Sequence, residues 1–132
     1  MINDEDLHLY KPNCQKLLPV FDRLKEINKL KDNWDSYGGK APDRKSLWLA
    51  FFSLKTDIEI PLMRRADIST LPSFSLAPDG IVGFEWEMSK KYLFVRFYDL
   101  EKVSIESSFE GVEDSRISSI GDLLAMVGWL IE

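Results

Sequence analysis

Three short loops between residues 73 and 108 constrain the fold more than any other feature of this sequence. They are Pro78-Asp79-Gly80, Ser89-Lys90 and Asp99-Leu100-Glu101, and each separates two runs in which apolar and polar residues alternate. Because the length of a hairpin loop fixes which residues pair across it, the three loops together define one register for four strands. The sequence therefore predicts a four-stranded antiparallel β-meander over residues 73–108.

This register places the large apolar side chains of the meander on one face of the sheet. Phe84, for example, lies opposite Phe74 on one neighbouring strand and opposite Val95 on the other. A shift of one residue at any loop would move part of the set to the other face, so the pattern favours this register. The predicted apolar row is Phe74, Leu76, Val82, Phe84, Trp86, Leu93, Val95, Phe97, Val103 and Ile105. We expect helices to cover it.

Apolar residues at helical spacing predict three helices. Two precede the meander, over residues 19–32 and 43–56, and Pro19 and Asp43 are residue types that suit a helix start. One helix follows the meander, over residues 115–131. Each of the three has an apolar side that needs a partner, and the apolar face of the sheet supplies one.

The remaining segments complete a single-domain prediction. Residues 57–72 contain Pro61 and Pro72 and show only a weak period, so we expect a loop with at most one helical turn there. Residues 1–12 form an acidic N-terminal segment, and 132 residues is the length of one ordinary domain. The predicted fold class is α+β, with two N-terminal helices, a four-stranded antiparallel β-meander and a C-terminal helix packed on one sheet face, in one domain over residues 1–132.

The composition restricts the location and the partners. A formal net charge of −5 opposes a phosphate backbone, so we expect no direct nucleic-acid binding, whereas a protein partner with a basic surface fits this charge. No apolar run approaches the roughly 20 residues that cross a bilayer, so we expect no membrane association. The acidic first residues differ from a secretory signal, and the single cysteine, Cys14, cannot form an internal disulfide. Both observations favour the cytoplasm.

Few residues of this chain have the chemistry of catalysis or metal binding. His8 is its one histidine, and a pair with Cys14 lacks the orienting third residue and the oxyanion loop of a thiol enzyme. Glu85 and Glu87 share a strand face, but ordinary cross-strand pairing explains both carboxylates. The spacings of zinc sites, EF-hands and phosphate loops do not occur. We therefore predict no catalytic site, no metal and no cofactor.

The string Asn33-Trp34-Asp35-Ser36-Tyr37-Gly38 is the most distinctive in the chain, and it connects the first two predicted helices. In a structural interpretation, Trp34 and Tyr37 anchor the connection in the core, while Asp35 and Ser36 bind free backbone N–H groups. In a functional interpretation, these four residues form a recognition loop. Buried anchors are the commoner use of such aromatic residues, and the two interpretations are compatible.

This string, followed by Ala41-Pro42, Pro78-Asp79-Gly80 and Glu85-Trp86, resembles a family of short, largely uncharacterised bacterial proteins. Those proteins carry an NWDSYGA-like string followed by a P-x-x-DG…EW hairpin, and the similarity covers about residues 24–98. The chain departs from the pattern at Gly39, where alanine is usual, and at Gly83, which interrupts the run before Glu85. The resemblance implies a bacterial or mobile-element origin and supports the fold, and it carries no activity.

The outer face of the predicted sheet mixes aromatic and charged side chains. Such a mixture is typical of protein interfaces, although cover by residues 57–72 would also account for the aromatic rings. We therefore predict a non-catalytic cytoplasmic protein that binds a protein partner, as antitoxins, immunity proteins and inhibitors of defence systems do. An enzyme with an unrecognised site is an alternative, and so is a homo-oligomeric structural protein, such as a homodimer, joined at strand edges. The predicted face carries Tyr92, Phe94, Tyr98, Glu85, Glu87, Arg96, Lys102 and Glu106.

We expect the purified protein to contain no stoichiometric zinc, iron or manganese, because the sequence lacks the ligand spacing that these metals need. Elemental analysis by mass spectrometry measures this directly. One equivalent of any of the three metals would contradict the prediction. Covalent capture of Cys14 by a substrate-like electrophile, faster than that of a free thiol, would contradict the absence of thiol chemistry.

Overall fold

The structure is a computed structural model that describes residues 4–65, 68 and 70–131. It is an α+β fold in which one five-stranded antiparallel sheet follows four helices and precedes a fifth. Within the described ranges, no helix has both the length and the apolar character to cross a membrane. The helices are α1 Asp4–Leu9, α2 Leu18–Lys29, α3 Arg44–Ser53, α4 Glu59–Arg64 and α5 Leu123–Ile131. The strands are β1 Ser73–Leu76, β2 Val82–Met88, β3 Lys91–Asp99, β4 Lys102–Phe109 and β5 Val112–Ser118.

The predicted register of the first four strands is confirmed. Phe84 lies opposite Phe74 of β1 and Val95 of β3, and Trp86 lies opposite Leu93. The strands follow one another in sequence order across the sheet, as expected for a meander. Every member of the predicted apolar row is buried, the most accessible being Leu76 with 7% of its surface exposed. Three loop lengths were therefore enough to identify the inner face of β1 to β4.

Helices α3 and α5 cover this inner face, where both pack against β2 and β3. The start of α3 is fixed to the sheet by a short chain of hydrogen bonds. The Asp43 carboxylate caps the helix by accepting the backbone N–H of Ser46 at 2.9 Å, as predicted. The Ser46 hydroxyl in turn accepts the backbone N–H of Val82, the first residue of β2, at 2.7 Å. Because Ser46 is completely buried, this bond satisfies polar groups that have no access to water.

The fifth strand is the main correction to the predicted fold. We expected a helix over residues 115–131, but residues 112–118 form β5, and α5 begins only at Leu123 after a single 3₁₀ turn. Strand β5 is exposed over nearly its whole length, so no apolar alternation marks it in the sequence. The helical spacing of Ile117 with later apolar residues was therefore misleading. A two-residue loop, Glu110-Gly111, joins β5 to β4.

The segment between α3 and the sheet is the second correction. The helix expected over residues 43–56 is present as α3 and the π-helical turn Leu54–Ile58. For residues 57–72 we expected a loop with at most one helical turn, but α4 follows the π-helical turn directly and extends to Arg64. Pro61 lies in the first turn of α4, directly after the π-helical turn in which the regular backbone hydrogen bonding is already interrupted. The prediction over residues 19–32 is confirmed within a few residues at each end by α2.

The N-terminal segment, predicted only as acidic, folds onto the helices from residue 4 onward. The Tyr10 ring contacts the rings of Phe21 and Phe51, at centroid distances of 5.0 and 5.4 Å. The Glu59 side chain, 2% exposed, accepts the Tyr10 hydroxyl at 3.3 Å and the backbone N–H of Asn13 at 3.0 Å. A buried carboxylate thus holds the segment that follows α1 against α4, by hydrogen bonds that replace water.

We expect Trp86→Ala to lower the free energy of unfolding by about 3–5 kcal/mol, the usual cost of removing a large buried aromatic side chain. Trp86 is 2% exposed, and its indole N–H donates to the Thr70 carbonyl at 3.1 Å. Urea denaturation measures the effect. The control is Tyr37→Ala, which removes a side chain that is 93% exposed and should leave the midpoint unchanged. Equal midpoints for wild type and Trp86→Ala would contradict the buried position of Trp86.

Candidate functional site

The outer face of the sheet is organised in straight rows of directly opposite residues. One row contains Glu85, Phe94 and Glu106, so the Phe94 ring lies between two carboxylates on neighbouring strands. The next row contains Glu87 and Tyr92. Since alternate residues of a strand point to opposite faces, these side chains point away from α3 and α5. The structure therefore brings Tyr92, Phe94, Glu85, Glu87 and Glu106 together, as predicted.

Tyr92 is the centre of the acidic part of this face. Its hydroxyl donates a hydrogen bond to Glu85 at 2.9 Å. Burial raises the pKa of Tyr92 to about 12, assisted by this hydrogen bond and by the negative charges of Glu85, Glu106 and Glu87. Three carboxylates therefore act on one phenol, and they stabilise its neutral form.

The other two predicted aromatic anchors each lie beneath a cation of the same face. The Arg96 guanidinium is 5.1 Å from the centre of the Phe94 ring, and the Lys102 ammonium is 4.8 Å from the centre of the Tyr98 ring. Such cation–π contacts hold both rings in place. All three aromatic side chains are partly exposed, so each keeps a surface that another molecule can reach.

Tyr92 borders two shallow depressions. The first is lined by Thr70 and Leu71, which come from the segment before the sheet, together with parts of β2. The second has a volume of about 510 Å³ and is lined by residues of β4 and β5, including Glu106 and Glu113. Of the segment 57–72, which was the predicted alternative cover, Thr70 and Leu71 thus border one side of Tyr92. The other side opens onto an acidic surface.

Strand β5 extends this face with residues that sequence reasoning missed. Glu113 lies opposite Ser108, Ser115 opposite Glu106, and Ile117 opposite Ser104. Ile117 is 60% exposed and adds an apolar side chain to this face, across β4 from the aromatic residues of β3. The signal in the sequence was the Glu110-Gly111 pair, whose positive φ angles suit a two-residue hairpin loop.

The second predicted site, the string from residue 33 to residue 38, is a tightly bonded loop. The Asp35 carboxylate accepts the backbone N–H of Tyr37 at 2.9 Å and that of Gly39 at 2.8 Å, which confirms its predicted structural role. These two bonds lower the pKa of Asp35, and the bond from Tyr37 has the larger effect. The Asn33 side chain accepts the N–H of Gly38 at 2.8 Å. Ser36 adopts a left-handed φ of 65° and donates its backbone N–H to Asn33.

The two aromatic residues of this loop behave differently. Trp34 is partly buried, and its indole N–H donates to the Lys40 carbonyl at 2.8 Å, in agreement with an anchoring role. The same prediction for Tyr37 is wrong, because its side chain is 93% exposed. The hydrogen bonds of Asp35 and Asn33 fix the backbone so firmly that the loop needs no second aromatic anchor. Tyr37 is thus a large exposed ring on a rigid support.

The loop and the first hairpin turn are bonded to each other. The backbone N–H of Lys40 donates to the Pro78 carbonyl at 2.9 Å, and that of Asp43 donates to the Gly80 carbonyl at 2.8 Å. The string from residue 33 to residue 43 and the turn at residues 78–80 therefore form one structural unit, which fixes the start of α3 against the β1–β2 turn. This arrangement gives most of the loop a structural role.

Two glycines, Gly39 and Gly83, occupy positions with little room for a side chain. A β-carbon at Gly39 would lie 2.8 Å from the Asp35 carboxyl group, which is already held by two hydrogen bonds. A β-carbon at Gly83 would lie 2.4 Å from the carbonyl oxygen of Val95 on the adjacent strand. Neither position accommodates a side chain without movement of its neighbours.

His8 and Cys14, the two residues considered for catalysis, have different environments. His8 is an exposed residue of α1, while Cys14 is partly buried against the core before α2. Within residues 4–65, 68 and 70–131, no three His, Cys, Asp or Glu side chains are grouped closely enough to hold a metal ion. Comparisons of the chain with family models, curated proteins and solved structures find no match.

We expect the free energy of unfolding to fall as the pH rises from about 10 to about 12. The unfolded chain releases tyrosine protons near the ordinary pKa of 10.0, whereas folding raises the pKa of Tyr92 and of Tyr10 to about 12. The folded state thus holds more protons in this interval, and stability is lost with increasing pH. Urea titrations at a series of pH values measure the slope.

In these titrations, Tyr92→Phe and Tyr10→Phe should each give a shallower decline than the wild type, and the double variant the shallowest. Ser108→Ala, beside Tyr92 on β4, is the control and should keep the wild-type slope. An unchanged slope in Tyr92→Phe would contradict the raised pKa of Tyr92, which burial and the surrounding carboxylates produce.

Proposed function

We propose that this protein is a non-catalytic binding protein that acts by covering a surface of a protein partner, in the manner of antitoxins, immunity proteins and inhibitors of defence systems. The partner binds on the outer face of the sheet, with Tyr92, Phe94 and Tyr98 as anchors. The observation that carries the proposal is the arrangement of these three partly exposed rings among charged residues on the face opposite α3 and α5.

The intramolecular contacts of the rings prepare them for such a role. Cations hold Phe94 and Tyr98, and the hydrogen bond to Glu85 holds Tyr92. A ring that is already ordered loses little conformational entropy when a partner covers it. Rigid aromatic side chains surrounded by polar groups are also the usual centres of binding energy in protein interfaces.

The charges of this face favour a basic partner surface. Glu85, Glu87, Glu106 and Glu113 are all exposed on it, while the cations Arg96 and Lys102 already lie over aromatic rings. Lysine or arginine side chains of a partner would meet these carboxylates at the rim and the rings at the centre. Attraction of this kind speeds association and weakens with added salt.

The experiment starts from a tagged copy of the protein expressed in the organism that encodes it, with identification of the chains that co-purify. Calorimetry then measures binding of the purified partner. We expect Phe94→Ala to weaken binding by about 1 kcal/mol or more with little loss of folding stability. Phe52→Ala is the control, because Phe52 is a solvent-accessible ring, 39% exposed, that lies on α3 rather than on the outer face of the sheet. It should leave binding unchanged.

Three results would contradict the proposal. Loss of stability in Phe94→Ala with unaltered binding would show that the ring serves only the fold. Loss of binding in Tyr37→Ala but not in Phe94→Ala would move the interface to the loop of residues 33–38. Failure to recover any partner would favour an enzyme with an unrecognised site.

A further inference from the structure

The two edge strands of the sheet, β1 and β5, differ in how far other elements cover them. At one edge, α2 packs beside β1, and the Arg23 side chain donates to the backbone carbonyl of Phe74 at 3.4 Å. At the other edge, β5 is exposed from Val112 to Ile117. Among the residues that the structure describes, β5 is thus the long strand whose outer backbone groups remain open. Exposed edges of this kind pair readily with another strand.

The hairpin geometry identifies which backbone groups of β5 point outward. The Glu110-Gly111 loop has φ angles of 51° and 84°, typical of a tight two-residue turn, and it is closed by a hydrogen-bonded residue pair. Hydrogen-bonded pairs then alternate along the antiparallel ladder with β4. The residues whose N–H and C=O groups face the open edge are therefore Glu113, Ser115 and Ile117.

We propose that β5 pairs with β5 of a second copy of this chain, in an antiparallel arrangement centred on Ser115. A two-fold axis at Ser115 gives an isologous dimer, in which both copies use the same strand. It matches all three outward-facing residues, because Ser115 pairs with the partner's Ser115, and Glu113 pairs with the partner's Ile117. The two five-stranded sheets then join into one sheet of ten strands.

The charges of β5 select this register. With Ser115 at the centre, Asp114 lies opposite the partner's Arg116, and Arg116 lies opposite the partner's Asp114. These are non-hydrogen-bonded pairs, in which opposite side chains approach most closely, so two cross-strand ion pairs form. Both side chains are exposed in the isolated chain, where the Arg116 guanidinium contacts the Met126 sulfur.

Neighbouring registers are disfavoured by the same residues. Only shifts of two residues keep the outward N–H and C=O groups paired. A shift in one direction places Asp114 opposite the partner's Asp114, and a shift in the other places Arg116 opposite the partner's Arg116. Like charges directly opposite each other destabilise strand pairing. Asp114 and Arg116 thus disfavour the neighbouring registers and favour the one centred on Ser115.

Apolar residues near the same edge also gain from pairing. Val112 and Ile117 are 74% and 60% exposed. In the dimer each lies against a strand of the second copy instead of water. The outer faces of the two copies become continuous, so the proposed protein-binding surface is doubled rather than blocked. The dimer therefore does not depend on the proposed function, and its test is independent of any partner.

The test measures association of the full chain by sedimentation equilibrium from micromolar to millimolar concentration. We expect the wild type to dimerise reversibly. Asp114→Lys and Arg116→Glu should each raise the dimer dissociation constant about tenfold or more, because each creates two like-charge pairs. An equimolar mixture of the two single variants should recover wild-type affinity as a heterodimer. The double variant, which keeps the net charge and reverses both ion pairs, should recover it alone.

A second pair of variants tests the backbone contacts. Ser115→Pro removes an outward N–H without loss of a bond to β4, so it should abolish the dimer, whereas Ser115→Ala should retain it. Circular dichroism and thermal melting check that each variant is folded. The proposal is overturned if the wild type is monomeric throughout, if the mixture associates no better than its components, or if folded Ser115→Pro dimerises as well as Ser115→Ala.

Discussion

The pairing register of β1 to β4 is the constraint on which the rest of this structure depends. The pairing that buries Phe84 between Phe74 and Val95 also places Phe94 between Glu85 and Glu106 on the other face. A slip of one residue would exchange the two faces, so it would expose the core and bury the glutamates. The stability of the fold and the composition of its candidate binding surface are therefore set by the same backbone hydrogen bonds.

The sheet and its outer surface were predictable because strand alternation and loop length are local properties of the sequence. Tyr92, Phe94 and Tyr98 could be placed on the outer face in this way, and they lie there. Strand β5 was missed since it is exposed on both sides and carries no apolar period. The helical segment Glu59–Arg64 was expected as one turn at most, because a π-helical turn shifts its apolar period relative to α3.

Interactions between distant segments account for the remaining differences. The exposure of Tyr37 depends on side-chain hydrogen bonds from Asp35 and Asn33, and the position of this loop depends on bonds to the turn at Pro78 and Gly80. No pattern within a single segment reports a bond across about 40 residues of chain. Asn33, Trp34 and Asp35 therefore stabilise the loop, whereas the Tyr37 ring is exposed on it. Neither the structural nor the functional interpretation alone predicted this combination.

The order of elements along the chain also determines how the protein is made. Helices α1 to α4 all precede the sheet, so a ribosome completes the apolar sides of α2 and α3 before it adds the strands that cover them. The strands, in contrast, pair only with immediate neighbours in sequence, which allows them to form quickly once synthesised. The apolar sides of α2 and α3 therefore stay uncovered on the nascent chain until the strands of the sheet have been synthesised.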